Sequence, residues 1–157
     1  MNLGDISRIV ERVKAGPVPQ RLLFVFCGKP SQLEPLLEGI DVHRGDLIAG
    51  IDGNNPEGIM KAIGKNLRKL CRTYRDNRQE PSALILENAI LIPRYGCDLS
   101  AVFQYALSPR SLAVLLLPSE SKRELPPSTE KWVVRNTRSI HERLAQQTGV
   151  PDCLITS

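Results

Sequence analysis

Three short, almost unbroken apolar runs constrain this chain more than any other feature: RLLFVFC at 21–27, ALILENAILI at 83–92 and LAVLLL at 112–117. A strand that is apolar on both faces must be covered on both faces, as in a parallel sheet sandwiched between helices. The segments between the runs read as helices. Ile6, Ile9, Val10 and Val13 recur at helical spacing, which predicts a helix over 5–15 stopped by Gly16-Pro17-Val18-Pro19. Ser31 and Glu34 have capping-box spacing before a helix over 32–39. DLIAGI at 46–51 reads as the second strand, and Pro56 as the first residue of a long helix reaching Arg75. The run at 83–92 contains a third strand. A helix follows over 98–107, with Leu99, Val102, Phe103 and Ala106 on one side, and the fourth strand is 112–117.

Residues 119–128 read as an exposed loop, Trp132-Val133-Val134 as a fifth strand, and 137–148 as a helix ended by Gly149 and Pro151. The expectation is a three-layer α/β sandwich with a mostly parallel sheet of about five strands, in a single domain over 1–157. Aromatics are only 4% of the residues, so its core must be aliphatic.

Several kinds of chemistry find no support. Cys27, Cys71, Cys97 and Cys153 have no metal-ligand spacing, and His43 and His141 are the only histidines, so no metal site or disulfide framework is expected. His141 reads as a surface residue. Asp41, Asp46 and Asp52 read as turn and cap residues around the second strand. No GxSxG elbow is present. No apolar run is long enough to span a bilayer, and the polar amphipathic N-terminus is unlike a signal peptide, so a cytoplasmic protein without membrane association is expected.

The first strand leads into CGKPSQLEPLL, which begins as a phosphate-binding loop does. Such a loop needs a second glycine followed by Lys and Ser or Thr, to cradle phosphates and ligate Mg²⁺. Counted from Gly28, those positions hold Leu33, Glu34 and Pro35. A carboxylate there repels a phosphate by roughly 4 kcal/mol at about 4 Å and an effective dielectric near 20. Gly28, Lys29 and Ser31 remain as nucleotide-binding candidates, with Lys29 as a displaced phosphate lysine; an ordinary strand-to-helix turn is the alternative.

Taken together, the strand with GKPS at 22–31, ALILEN at 83–88, the helix after it and SPRSLAVLLLP at 108–118 resemble the P-loop NTPase fold in its additional-strand form, shared by AAA-type ATPases. ALILEN looks like the Walker B strand. Glu87 then matches the metal-ligand position, and Asn88 stands where a catalytic carboxylate often lies. LAVLLLP is similar to the adjacent strand whose tip senses the γ-phosphate. Within that superfamily, LILENAILIP, DLSAVFQYAL and SPRSLAVLL follow the order of the small P-loop subunit of bacterial BREX phage-defence systems. The resemblance covers about residues 20–118. It implies a nucleotide-binding-type fold among the other protein subunits of a defence complex, and without the Walker lysine it implies no hydrolysis. The alternative is an unusual NTPase that binds ATP and Mg²⁺ through Lys29 and Glu87.

The long helix carries a separate signal. At 100° per residue, Lys61, Lys65, Arg68, Lys69, Arg72 and Arg75 fall within roughly 120°, opposite Ile59, Ile63, Leu67, Leu70 and Tyr74. The chain has a formal charge of +4. A ridge of one sign suits an acidic protein partner or the DNA backbone, and it is also what a solvated helix face can look like. Aromatic stacking platforms are not expected beside it, which disfavours single-strand recognition.

Overall fold

The computed structural model describes residues 3–19, 22–51, 56–117 and 154–156. The expected loop at 119–128, strand at 132–134 and helix at 137–148, with Asp52 and His141, lie outside the described residues. The chain forms helix α1 (Leu3–Ala15), strand β1 (Leu22–Cys27), the short helix α2 (Pro30–Leu33) with a 3-10 turn (Glu34–Leu37), and strand β2 (Asp41–Asp46). Helix α3 (Pro56–Asn77), strand β3 (Ser82–Glu87), helix α4 (Leu91–Arg94), a π-helical segment (Val102–Ala106) and strand β4 (Ser111–Leu117) follow, with a short β5 at Leu154–Thr156.

Four full strands run parallel in the order β2-β3-β4-β1, and the three residues of β5 add to the outer edge of β1, also in parallel. Helices cover both faces, which makes the expected three-layer α/β sandwich. Side-chain alternation sorts the core into two layers. Phe24, Phe26, Ile85, Val114 and Leu116 meet Ile6, Val10 and Val13 of α1, with Leu33 and Leu37 beside them. Leu23, Leu84, Leu86, Ala113 and Leu115 meet Ile63, Leu67, Cys71 and Tyr74 of α3, with Val102 and Phe103. Every residue of β4 is buried, as a central strand with two covered faces requires. Tyr74 keeps its hydroxyl satisfied inside this core by a 2.7 Å hydrogen bond to Ser82 Oγ.

Two expectations are corrected. The second strand is Asp41–Asp46, not 46–51, because β2 lies at the sheet edge and needs little apolar character: its side chains alternate between half-buried and exposed. The apolar residues that suggested 46–51 belong to a turn. Leu47 plugs into the core beneath α3, Ile48 is exposed, and Asn66 Nδ2 holds the turn through the carbonyls of Leu47 and Ala49. The helix expected over 32–39 instead starts at Pro30, and it gives way to a 3-10 turn at Glu34. Pro35 lacks the N–H that a continuing α-helix would require. The expected pairing of Ser31 with Glu34 is replaced by one between Lys29 and Gln32.

Candidate functional site

In a parallel α/β sheet, ligands bind beyond the carboxyl ends of the strands. Here that edge is formed by Gly28 after β1, Asp46 at the end of β2, Glu87 at the end of β3 with Asn88 after it, and Leu117 at the end of β4. Only Gly28 and Lys29 separate β1 from α2. Their amides already have partners: Gly28 N–H donates to Leu117 O at 3.0 Å, and Lys29 N–H to Gln32 Oε1 at 2.9 Å. The Gln32 amide in turn donates to Lys29 O at 3.0 Å. A Cβ at Gly28 would lie 2.4 Å from Gln32 Oε1 and 2.6 Å from the Phe26 ring, so side chains fill the space beside the turn. Lys29 and Ser31 are exposed, and no ion pair joins Lys29 to another described residue.

The two residues matched to Walker B are engaged as well. Arg44 on β2 bridges two carboxylates, with Nη2 3.3 Å from Glu87 Oε1 and Nη1 3.5 Å from Glu34 Oε1. Asn88 has a left-handed backbone (φ 56°), and its Nδ2 donates to Asp46 Oδ1 at 2.7 Å. Asp46 Oδ1 also accepts the Ile48 amide at 3.0 Å, a local turn role of the kind the sequence suggests. The carboxylate of Glu34 is therefore not a bare charge. Arg44 offsets part of the repulsion expected of it, although one guanidinium is shared between the two carboxylates of Glu34 and Glu87. Both amides of the two-residue turn already have acceptors, and the Arg44 guanidinium at this corner is held between two glutamates. No group of three or more metal-ligating side chains occurs among the described residues.

The α3 ridge divides into two parts. All six cationic residues are exposed, as the helical spacing predicts. Arg72 and Arg75 stack on Tyr105, their guanidinium carbons 5.1 and 4.8 Å from its ring centre. Arg72 Nη2 also donates to Tyr105 Oη at 3.3 Å, and Arg75 pairs with Asp76 at 3.0 Å. An aromatic side chain therefore does accompany the ridge. It comes from the π-helical segment, thirty residues further along the chain than Arg75, where the spacing within α3 gives no hint of it. Lys61, Lys65, Arg68 and Lys69 make no ion pair with other described residues. The first three line a groove of about 520 Å³ between α3 and residues 96–101. Leu67, Cys97 and Ala101 form its floor and Met60, about half exposed, its rim. Burial pushes the Cys97 thiol above its ordinary range, so it stays neutral and acts as a small apolar side chain. Gly64 borders the groove with open space at its Cα: an added Cβ would meet only Arg68 Nη1, at 3.8 Å.

Arg44, Tyr105 and Gly64 carry this geometry, and sequence reasoning missed all three. Arg44 falls in a segment read as a connection, Tyr105 becomes a neighbour of the ridge only through tertiary packing, and Gly64 stands between Lys61 and Lys65 on α3 itself, where a helical glycine beside the ridge is the one available signal. No protein-family model, curated protein or solved structure matches the chain. Among the described residues, no helix is long and apolar enough to cross a membrane.

Proposed function

We propose that this chain is a non-catalytic, P-loop-like accessory subunit that serves as a scaffold in a bacterial multiprotein system, with anti-phage defence of the BREX kind as the setting its resemblance implies. The observation that carries this reading is the two-residue turn after β1, whose amides are both engaged within the protein. A nucleotide would have to break those bonds and displace Gln32 before gaining its own. Two further observations support the reading. The strand compared with the γ-phosphate-sensing strand, β4, lies between β1 and the Walker-B-like β3, which is the neighbourhood the resemblance calls for. Glu87, the metal-ligand candidate, is paired with Arg44.

Titration with Mg-ATP followed by calorimetry tests this directly. The expected result is no binding tighter than about 1 mM. Micromolar binding, or ATP turnover that disappears in Glu87→Gln, would overturn the proposal in favour of an unusual NTPase.

A further inference from the structure

The accessory role leaves open what the subunit holds on to, and the groove beside α3 narrows the answer. Lys61, Lys65 and Arg68 stand on one wall without an ion-pair partner among the described residues. The only carboxylate in the lining is Asp98, and its Oδ1 already accepts the Ser100 amide at 2.7 Å. Three cations against one carboxylate leave the wall positive. Beneath it the floor is apolar, with Leu67 at 1%, Ala101 at 5% and Cys97 at 8% exposure, while Met60 remains 48% exposed at the rim. Large exposed methionines beside an apolar recess are common where a side chain from elsewhere is received.

We propose that this groove docks an acidic segment of a partner protein, with carboxylates against Lys61, Lys65 and Arg68 and an apolar side chain seated on Leu67, Cys97 and Ala101. The proposal deepens the accessory reading and rests on it. An apolar anchor in a recess with charges around it is the usual anatomy of a protein-recognition hot spot. Duplex DNA fits the lysines but not the floor, because its backbone offers phosphate and sugar and no apolar group to fill a recess. From Lys61 to Arg68 the wall extends about 10 Å along the helix axis, which suits a few peptide residues. The remainder of the ridge is arranged differently, since Arg72 and Arg75 are already stacked on Tyr105. Gly64 gives the groove its depth. Nothing packed against its Cα requires a glycine there, and a larger residue would occupy the space the anchor needs.

The test is an amide NMR titration of the full chain with a short peptide in which one leucine is flanked on both sides by glutamates. Parallel titrations use the same peptide with serine replacing leucine, and a short DNA duplex. The expected result is progressive shifts at Gly64, Lys65, Gly96 and Ala101 with the leucine peptide, and an affinity weakened by about tenfold for the serine peptide. Gly64→Met is expected to weaken binding by about tenfold and Arg68→Glu by at least as much, whereas Lys69→Glu, on the same helix but outside the groove, changes it by less than about threefold. Melting temperatures no lower than that of the native chain show that the variants remain folded. No shift at these amides with the leucine peptide, or equal affinity in Gly64→Met, overturns the proposal. So do shifts produced by DNA alone, or by raising the protein concentration alone, which would assign the groove to nucleic acid or to a second copy. Adding Mg-ATP to the same samples separates the two claims: nucleotide binding refutes the accessory reading, whereas a silent groove without nucleotide binding refutes only the docking.

Discussion

The corner at the carboxyl ends of β1, β2 and β3 and the groove beside α3 are both rich in charge, yet they are built on opposite principles. At the corner, Arg44 lies between Glu34 and Glu87, and Asn88 is bonded to Asp46. The turn amides are used by Leu117 and Gln32, and no gap remains at Gly28. In the groove, three cations share a wall, their one carboxylate neighbour is held by a backbone amide, and a glycine leaves open space. The position of a charged residue in a sequence does not distinguish these cases. What separates them is whether the fold supplies the partner, and only a site left short of partners has interaction free energy available for another molecule.

The largest expected contrast comes from one substitution made at both places. Gly28→Ala drives a methyl group into Gln32 and the Phe26 ring and should cost about 1–3 kcal/mol. Gly64→Ala lies within α3 with no contact closer than 3.8 Å and should stabilise by about 0.5–1 kcal/mol, because alanine is the better helix former. Urea denaturation of the two variants measures both. Equal signs would erase the distinction between a filled corner and an open groove.

A smaller contrast concerns the charges. Arg44→Met removes a half-exposed cation from two carboxylates and should lower stability by less than about 1 kcal/mol. Lys65→Met relieves repulsion within the groove wall and should be neutral or slightly stabilising. Their urea midpoints should move apart at low salt and converge at about 1 M salt, where the screening length falls to about 3 Å. Parallel responses to salt would show that the wall cations have partners of their own.

The smallest effect sharpens the comparison by testing a charge away from both sites, at the start of β2. The Gln79 amide, and then His43, hold the Asp41 carboxyl below its ordinary value of 3.8. A depressed folded pKa gives stability that is fully present above 3.8 and is lost as pH falls through the folded value. The difference in melting temperature between the native chain and Asp41→Asn should therefore stay constant down to about pH 5 and narrow below it. A difference that grew on acidification would contradict the assigned partners.

The parts of this fold legible in the sequence were those where one physical effect dominates. β1, β3 and β4 are covered on both faces, so almost every residue is apolar and the strands stand out. The core stripe of α3, from Ile63 to Tyr74, follows from helical geometry alone. β2 was misplaced because an edge strand mixes half-buried and exposed side chains while the turn after it contributes Leu47 to the core. The cationic ridge was legible as a list of exposed residues but not as two surfaces. Its division depends on Tyr105 and on the backbone near Gly96, which reach α3 through packing between elements distant in sequence. At 28–35 the sequence shows an acidic residue where a phosphate loop has a lysine, and the structure adds two things no spacing reveals: the amides of Gly28 and Lys29 are occupied, and Glu34 is paired with Arg44.

The joint of Gly28 and Lys29 has a mechanical consequence. A connection this short, with both amides bonded, leaves little slack between the end of β1 and the start of the helix after it. A displacement of β1 would be carried directly into that helix. On the accessory reading proposed above, such a part would act as a strut that passes on a force generated elsewhere.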